Sequence, residues 1–156
     1  MSGGLGRAMG LDVGERRIGV AIADELGMIA SPLTTVARKP GDLEELRDLA
    51  RERGVGVFVV GLPTGLSGRE GPQAAVVRAF ASELGDVVGP AIEVTFWDER
   101  LTTAVAERML RERGARRGRG KGEVDAVAAA VILQGYLDAR RARDRRRRQH
   151  GDAEAG

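Results

Sequence analysis

Apolar residues alternate along both halves of residues 8–24. Met9, Leu11 and Val13 share one side with Ile18, Val20 and Ile22, while Ala8, Gly10 and Asp12 share the other with Gly19, Ala21 and Ala23. A period of two predicts strands, and Gly14-Glu15-Arg16 supplies the reversal of a β-hairpin. One face of this hairpin is bulky and the other is made of small residues, so another element is expected to pack very close on the small side. Met28–Val36 is expected to add a third antiparallel strand.

The period then changes. Leu43, Leu46, Leu49 and Ala50 form the apolar stripe of a helix over 42–53, with Asp42 as a natural N-cap and Gly54 as a stop. Val55–Val60 is a short β-branched run of the kind buried on both faces of a sheet. A glycine-rich loop, Gly61 to Gly71, follows it, and then a helix over about 72–84 with Val76, Val77, Phe80 and Leu84 inward. Ile92–Trp97 reads as a strand, Leu101–Arg113 as a helix, 114–121 as a basic loop and Glu123–Arg141 as the last helix. Hairpin strands followed by strand–helix alternation predict an α/β domain, a mixed β-sheet flanked by helices. That domain is expected over residues 1–138, with 139–156 an Arg-rich, disordered tail.

Composition narrows the chemistry. The 156 residues contain no Cys and one His, His150, which removes thiolate sites, Cys nucleophiles, His triads and multi-His metal centres. No apolar run approaches the ~18 residues of a membrane span, and the N-terminus lacks the apolar stretch of a secretory signal, so a soluble cytoplasmic protein without membrane partners is expected. The net charge of +2 is unevenly placed: residues 1–138 hold 18 Lys and Arg against 20 Asp and Glu, and 139–156 hold seven Arg against three acids. Chemistry must come from carboxylates, hydroxyls and arginines.

Carboxylates occupy positions where core residues are expected. Asp12 lies inside the first strand on its small-residue face, Asp98 and Glu99 directly follow Val94-Thr95-Phe96-Trp97, and Asp125 lies in the first turn of a helix that is apolar nearly all round. The Ala-rich surface of that buried helix matches the small face of the hairpin, and packing there would bring Asp125 towards Asp12. Clustered carboxylates repel one another unless a cation joins them. Mg²⁺ or Mn²⁺ takes oxygen ligands and bridges substrate phosphates, and such ions support phosphodiester hydrolysis. Plain structural roles remain open: Asp98 or Glu99 as caps of a following helix, Asp125 against a helix dipole, and Asp12 in an ion pair with an arginine.

Four ordered motifs carry a resemblance: Gly10-Leu11-Asp12-Val13-Gly14 with Ile18-Gly19-Val20-Ala21; Val60-Gly61-Leu62-Pro63 with Gly68 and Pro72; Asp98-Glu99-Arg100-Leu101-Thr102-Thr103; and Lys121-Gly122-Glu123-Val124-Asp125-Ala126-Val127-Ala128-Ala129. Over roughly residues 8–138 the chain resembles the YqgF-type pre-16S rRNA nucleases, also called Holliday-junction-resolvase-like proteins, of the ribonuclease H-like superfamily. The resemblance implies a ribonuclease H-like mixed sheet and an acidic catalytic centre of Asp12, the Asp98-Glu99 pair and Asp125, with Asp12, Asp98 and Asp125 as metal ligands for Mg²⁺ or Mn²⁺. It implies 5′-end processing of precursor 16S rRNA in ribosome biogenesis. The alternatives are cleavage of branched DNA junctions, or a non-catalytic rRNA-binding assembly factor. A pre-ribosomal particle is a further possible partner, and the protein is expected as a monomer or homodimer.

Substrate contacts are expected from Arg16 and Arg17 in the hairpin turn, Gly61, Thr64 and Gly68 in the glycine-rich loop, Arg100 beside the acidic pair, and Lys121. Free loop amides and arginines suit phosphate. Turn glycines, solvated turn charges and a structural ion pair for Arg100 are the competing readings. With few aromatics, an aromatic base-stacking platform is not expected.

Overall fold

A computed structural model describes residues 6–64, 69–101 and 121–155. Five strands form one sheet: β1 (Arg7–Val13), β2 (Arg17–Ala23), β3 (Ala30–Ala37), β4 (Val55–Leu62) and β5 (Glu93–Asp98). Their spatial order is β3-β2-β1-β4-β5, with β1–β2 and β2–β3 antiparallel and β1–β4 and β4–β5 parallel. The helices are α1 (Asp42–Glu52), α2 (Pro72–Val88) and α3 (Lys121–Ala155), with a short 3₁₀ turn at Glu99–Leu101. The mixed α/β sheet expected from the alternation is the one observed.

The two faces differ as the hairpin pattern dictates. Met9 pairs with Ile22, Leu11 with Val20 and Val13 with Ile18, so all six bulky residues point to one side. There they join Phe58, Leu46, Val77, Phe80 and Leu84 in a core under α1 and α2. The other side carries Ala8, Ala21, Ala23, Val57 and Val59, packed against Val127, Ala129, Ala130, Leu133 and Leu137 of α3. A Cβ on Gly10 would stand 2.8 Å from the Ala129 carbonyl oxygen, and one on Gly19 would overlap the Asp125 carbonyl. The small face therefore admits a helix backbone in direct contact with the strands.

Several boundaries move. The helix begins at Asp42 with Gly41 in the preceding position, and the Asp42 carboxylate accepts the Leu43 N–H rather than that of a residue deeper in the first turn. α2 runs on to Val88, and Val76 is 58% exposed, so the inward stripe is Val77, Phe80, Ala81 and Leu84. β3 starts at Ala30 and bulges: Val20 faces Thr34 and Ala21 faces Pro32, leaving Leu33 as the extra residue.

The largest difference is at the C-terminus. α3 continues from the core through the Arg-rich segment to Ala155, where a disordered tail is expected from composition alone. Arg and Ala are strong helix formers, no proline interrupts 139–156, and Asp144 stands four residues from both Arg140 and Arg148. An Asp138–Arg141 pair at 2.6 Å adds local support. The helix expected over 101–113 and most of the basic loop over 114–121 lie outside the described residues, apart from Leu101, which is exposed in the 3₁₀ turn, and Lys121, which opens α3.

Gly19→Ala is expected to cost about 1–3 kcal/mol, because the added methyl must displace the α3 backbone. Gly85→Ala, in a helix with nothing near its Cβ position, is expected to stabilise by about 0.5–1 kcal/mol. Urea unfolding of the two variants should give midpoints on opposite sides of the wild type.

Candidate active site

Sheet register brings the acidic residues to one edge. β1, β4 and β5 are parallel, so their C-terminal ends lie together, with Leu11 beside Val60, Gly61 beside Trp97 and Leu62 beside Asp98. Asp12 is one step beyond Leu11 and pairs with Gly19 across the hairpin. Because Gly19 lies against the Asp125 backbone, the start of α3 is fixed next to Asp12. Asp12 and Asp125 thus meet through the same contact that seats the helix.

Strand alternation separates Asp98 from Glu99. Val94 and Phe96 pack with the core under α1 and α2, whereas Trp97 packs with the α3 cluster. Asp98 follows the parity of Phe96 and turns away from Asp12. Its carboxylate is taken up locally: Arg100 contacts it through Nη2 at 2.7 Å and Nε at 3.1 Å, the Arg100 N–H donates at 2.9 Å, and the Thr64 hydroxyl donates at 2.8 Å. The Arg100 guanidinium, with these other donors, holds the Asp98 carboxyl well below the usual carboxylate range. Glu99 lies beyond the strand, in the 3₁₀ turn, and its carboxylate comes back over Gly61. Its Oε1 would lie 2.9 Å from a Cβ at Gly61, so the missing side chain there makes room for the carboxylate.

The electrostatics mark the cluster. Burial, and then the Asp125 charge, push the Asp12 carboxyl above its ordinary value. The Glu99 carboxyl is also raised, first by desolvation and then by Asp12 and Asp98. Asp125 has a partner of its own in Arg17, whose Nε donates to Oδ2 at 2.9 Å. Asp12 and Glu99 are therefore negative groups held near one another, with Arg17 compensating on one side of the cluster.

The expected substrate contacts fall differently. Arg17 is engaged by Asp125, and Arg100 and Thr64 by Asp98, so these three act first as intramolecular braces. Arg16 is exposed in the hairpin turn, and Gly61 underlies Glu99. Gly68 and the Lys121 side chain lie outside the described residues. Asp98, expected as the metal-facing member of its pair, has its carboxylate engaged by Arg100 and Thr64, while Glu99 is the member on which the Asp12 charge acts. The sequence signal for Glu99 is the two-residue period of β5, which the adjacent aromatics Phe96 and Trp97 obscure.

Oxygen donors alone line this edge, which is the donor set of Mg²⁺ or Mn²⁺ rather than of a softer metal. Raised carboxyls near one another are also what a cation would relieve. Among the described residues, no three acidic or His side chains already stand around a common point.

Residues 6–139 match the family model described as "RuvX: Holliday junction resolvase". The chain belongs to the RuvX family. Relatives named "Putative pre-16S rRNA nuclease" include one from Chloroflexus aggregans, 49% identical over 135 residues (85% of this chain, 94% of the relative). Another, from Moorella thermoacetica, is 52% identical over 134 residues, again 85% and 94%. The fold is shared with Thermus thermophilus RuvC solved with a Holliday junction substrate, at a TM-score of 0.57 and 16% identity, covering 86% of this chain and 94% of that one. The RuvX sheet is thus the ribonuclease H-like one. No helix among the described residues is long and apolar enough to cross a membrane.

The shifted carboxyls predict pH effects of opposite sign. A raised folded-state value for Asp12 means its charge destabilises the fold as pH rises from the ordinary value through the raised one. In metal-free buffer, Asp12→Asn should be more stable than wild type at pH 7, with the gap closing near pH 3. The lowered value of Asp98 contributes stability above its ordinary titration range, lost as pH falls. Asp98→Asn should therefore be the less stable variant at pH 7, and urea midpoints at the two pH values check both.

Proposed function

We propose that this RuvX chain is a divalent-metal-dependent endonuclease that hydrolyses phosphodiester bonds in structured RNA and trims the 5′ end of precursor 16S rRNA in the cytoplasm. The observation that carries this reading is the place of Asp12 at one sheet edge, near Asp125 from the start of α3 on one side and near Glu99 from the turn after β5 on the other. The names of its relatives support rRNA as substrate.

Asp12, Glu99 and Asp125 would hold Mg²⁺ or Mn²⁺ through carboxylate oxygens. Bound there, the ion supplies polarisation of the phosphate and of a water nucleophile. The chain's own residues set the geometry. Arg17 holds the Asp125 carboxylate in place at the start of α3. Arg100 and Thr64 fix Asp98, and this fixes the turn that carries Glu99 over Gly61. Gly61 keeps the strand end open so that Glu99 can approach Asp12. With no Cys and one His, placed on the arginine-rich helix, the chain offers no thiolate or imidazole at this edge, and a water activated at the carboxylates fits best. One chain carries all three carboxylates, so a single copy suffices for one incision.

A four-way DNA junction is the competing substrate, favoured by the family description. Precursor rRNA and a synthetic junction, each incubated with Mg²⁺, Mn²⁺ or EDTA, decide between them by mapped cut sites. Cleavage of the rRNA should require metal. Asp12→Asn, Glu99→Gln and Asp125→Asn should each lower the rate by at least about 10²-fold, in the range typical of lost catalytic groups. Asp98→Asn should retain more activity than Glu99→Gln. Wild-type cleavage rates in Asp12→Asn, or full activity in EDTA, would sink the reading.

A further inference from the structure

We propose that the C-terminal half of α3 is a second nucleic-acid contact, a helical arm that grips the phosphate backbone of a duplex about one helical turn from the acid cluster. The distance gains its meaning from the nuclease reading, while the binding itself is measurable without cleavage. Core packing along α3 ends at Leu137, and every residue from Arg143 to Gly151 is exposed. Seven of the nine residues from Arg140 to Arg148 are arginine, against one acid, Asp144.

The composition selects the partner. At 100° per residue the arginines point to all sides of the helix, and residues 139–151 offer no apolar side chain larger than Ala. A membrane-surface helix or a helix seated in a protein groove needs an apolar face, and this segment has none. Arg141 and Arg145, and Arg143 and Arg147, are like charges four residues apart, a repulsion that a polyanion relieves. Guanidinium groups suit phosphate oxygens. The segment has no Phe, Tyr or Trp on which bases could stack, so a duplex backbone fits better than a single strand.

The fold supplies the spacing. Asp125 lies at the acid cluster and Arg145 is twenty residues further along the same helix, about 30 Å at 1.5 Å per residue. That is about nine base pairs of B-form DNA at 3.4 Å each. The base of the arm is itself basic. Arg140 lines a cleft of about 460 Å³ with Arg7 from β1 and Arg53 from the end of α1, at the end of the sheet away from Asp12. Asp24 and Glu25 also line it, and Asp24 is engaged in accepting the Met28 and Ile29 N–H groups.

The test changes Arg145, Arg146, Arg147 and Arg148 together to Gln, which keeps helix propensity and removes charge. A companion variant changes the same four to Lys. Binding to 20-base-pair RNA and DNA duplexes is measured with Ca²⁺ in place of Mg²⁺ or Mn²⁺ over a range of NaCl, with hydroxyl-radical footprints. The Gln variant should bind at least about tenfold more weakly, with a salt slope shallower by about three, and the Lys variant should recover most of both. The wild type should protect two backbone patches about 30 Å apart along the duplex, and the Gln variant only one. Equal affinity and slope in wild type and Gln variant would overturn the arm, and so would a single footprint in the wild type. Preference between the two duplexes identifies which polymer the arm takes. Inactive acid variants that keep both footprints would separate the failure of one proposal from that of the other.

Discussion

The direct seating of α3 on the glycine-bearing face of the hairpin is the contact on which everything else rests. Gly10 and Gly19 carry no Cβ where the carbonyls of Ala129 and Asp125 arrive, so helix and sheet meet backbone to side-chain-free backbone. Dispersion and burial there need close approach, and a methyl at either position would lift the helix. The same contact sets the height of Asp125 above Asp12, so the stability of this layer and the geometry of the acidic edge cannot be varied independently.

The division of labour between Asp98 and Glu99 follows from a simple rule of pleated strands. Neighbours within a strand face opposite layers, and here Asp98 closes β5 on the Phe96 side while Glu99, in the turn beyond it, comes to the Gly61 side. Here one is neutralised by Arg100 and braced by Thr64, and the other reaches over Gly61. The first supplies rigidity at the end of β5, and the second supplies negative charge beside Asp12. The cost of that charge is visible in the raised titration of Asp12 and Glu99.

Much of this was legible in the residues. The small face of the hairpin, with Gly10, Asp12, Gly19 and Ala21 in one line, announced a close-packed helix and placed Asp125 opposite Asp12. The parity of β5 was not legible, because Phe96 and Trp97 are both aromatic and either could belong to the core. Nor was the pairing of Arg17 with Asp125, 108 positions away in sequence, since a turn arginine reads as a solvated charge. The helicity of 139–155 escaped a reading from charge alone: a high density of arginine suggests a chain too polar to fold, yet it continues a helix whose nucleus is already formed in the core. Propagation is far less demanding than initiation.

The bulge in β3 bears on how copies of this protein can meet. β3 is the outermost strand on its side of the sheet, Pro32 offers no N–H, and the extra residue Leu33 bends the strand. An incoming strand would find a ladder short of a donor and twisted out of line. Sheet extension is thereby discouraged along that border, and self-association, where it occurs, must draw on other surfaces of the fold.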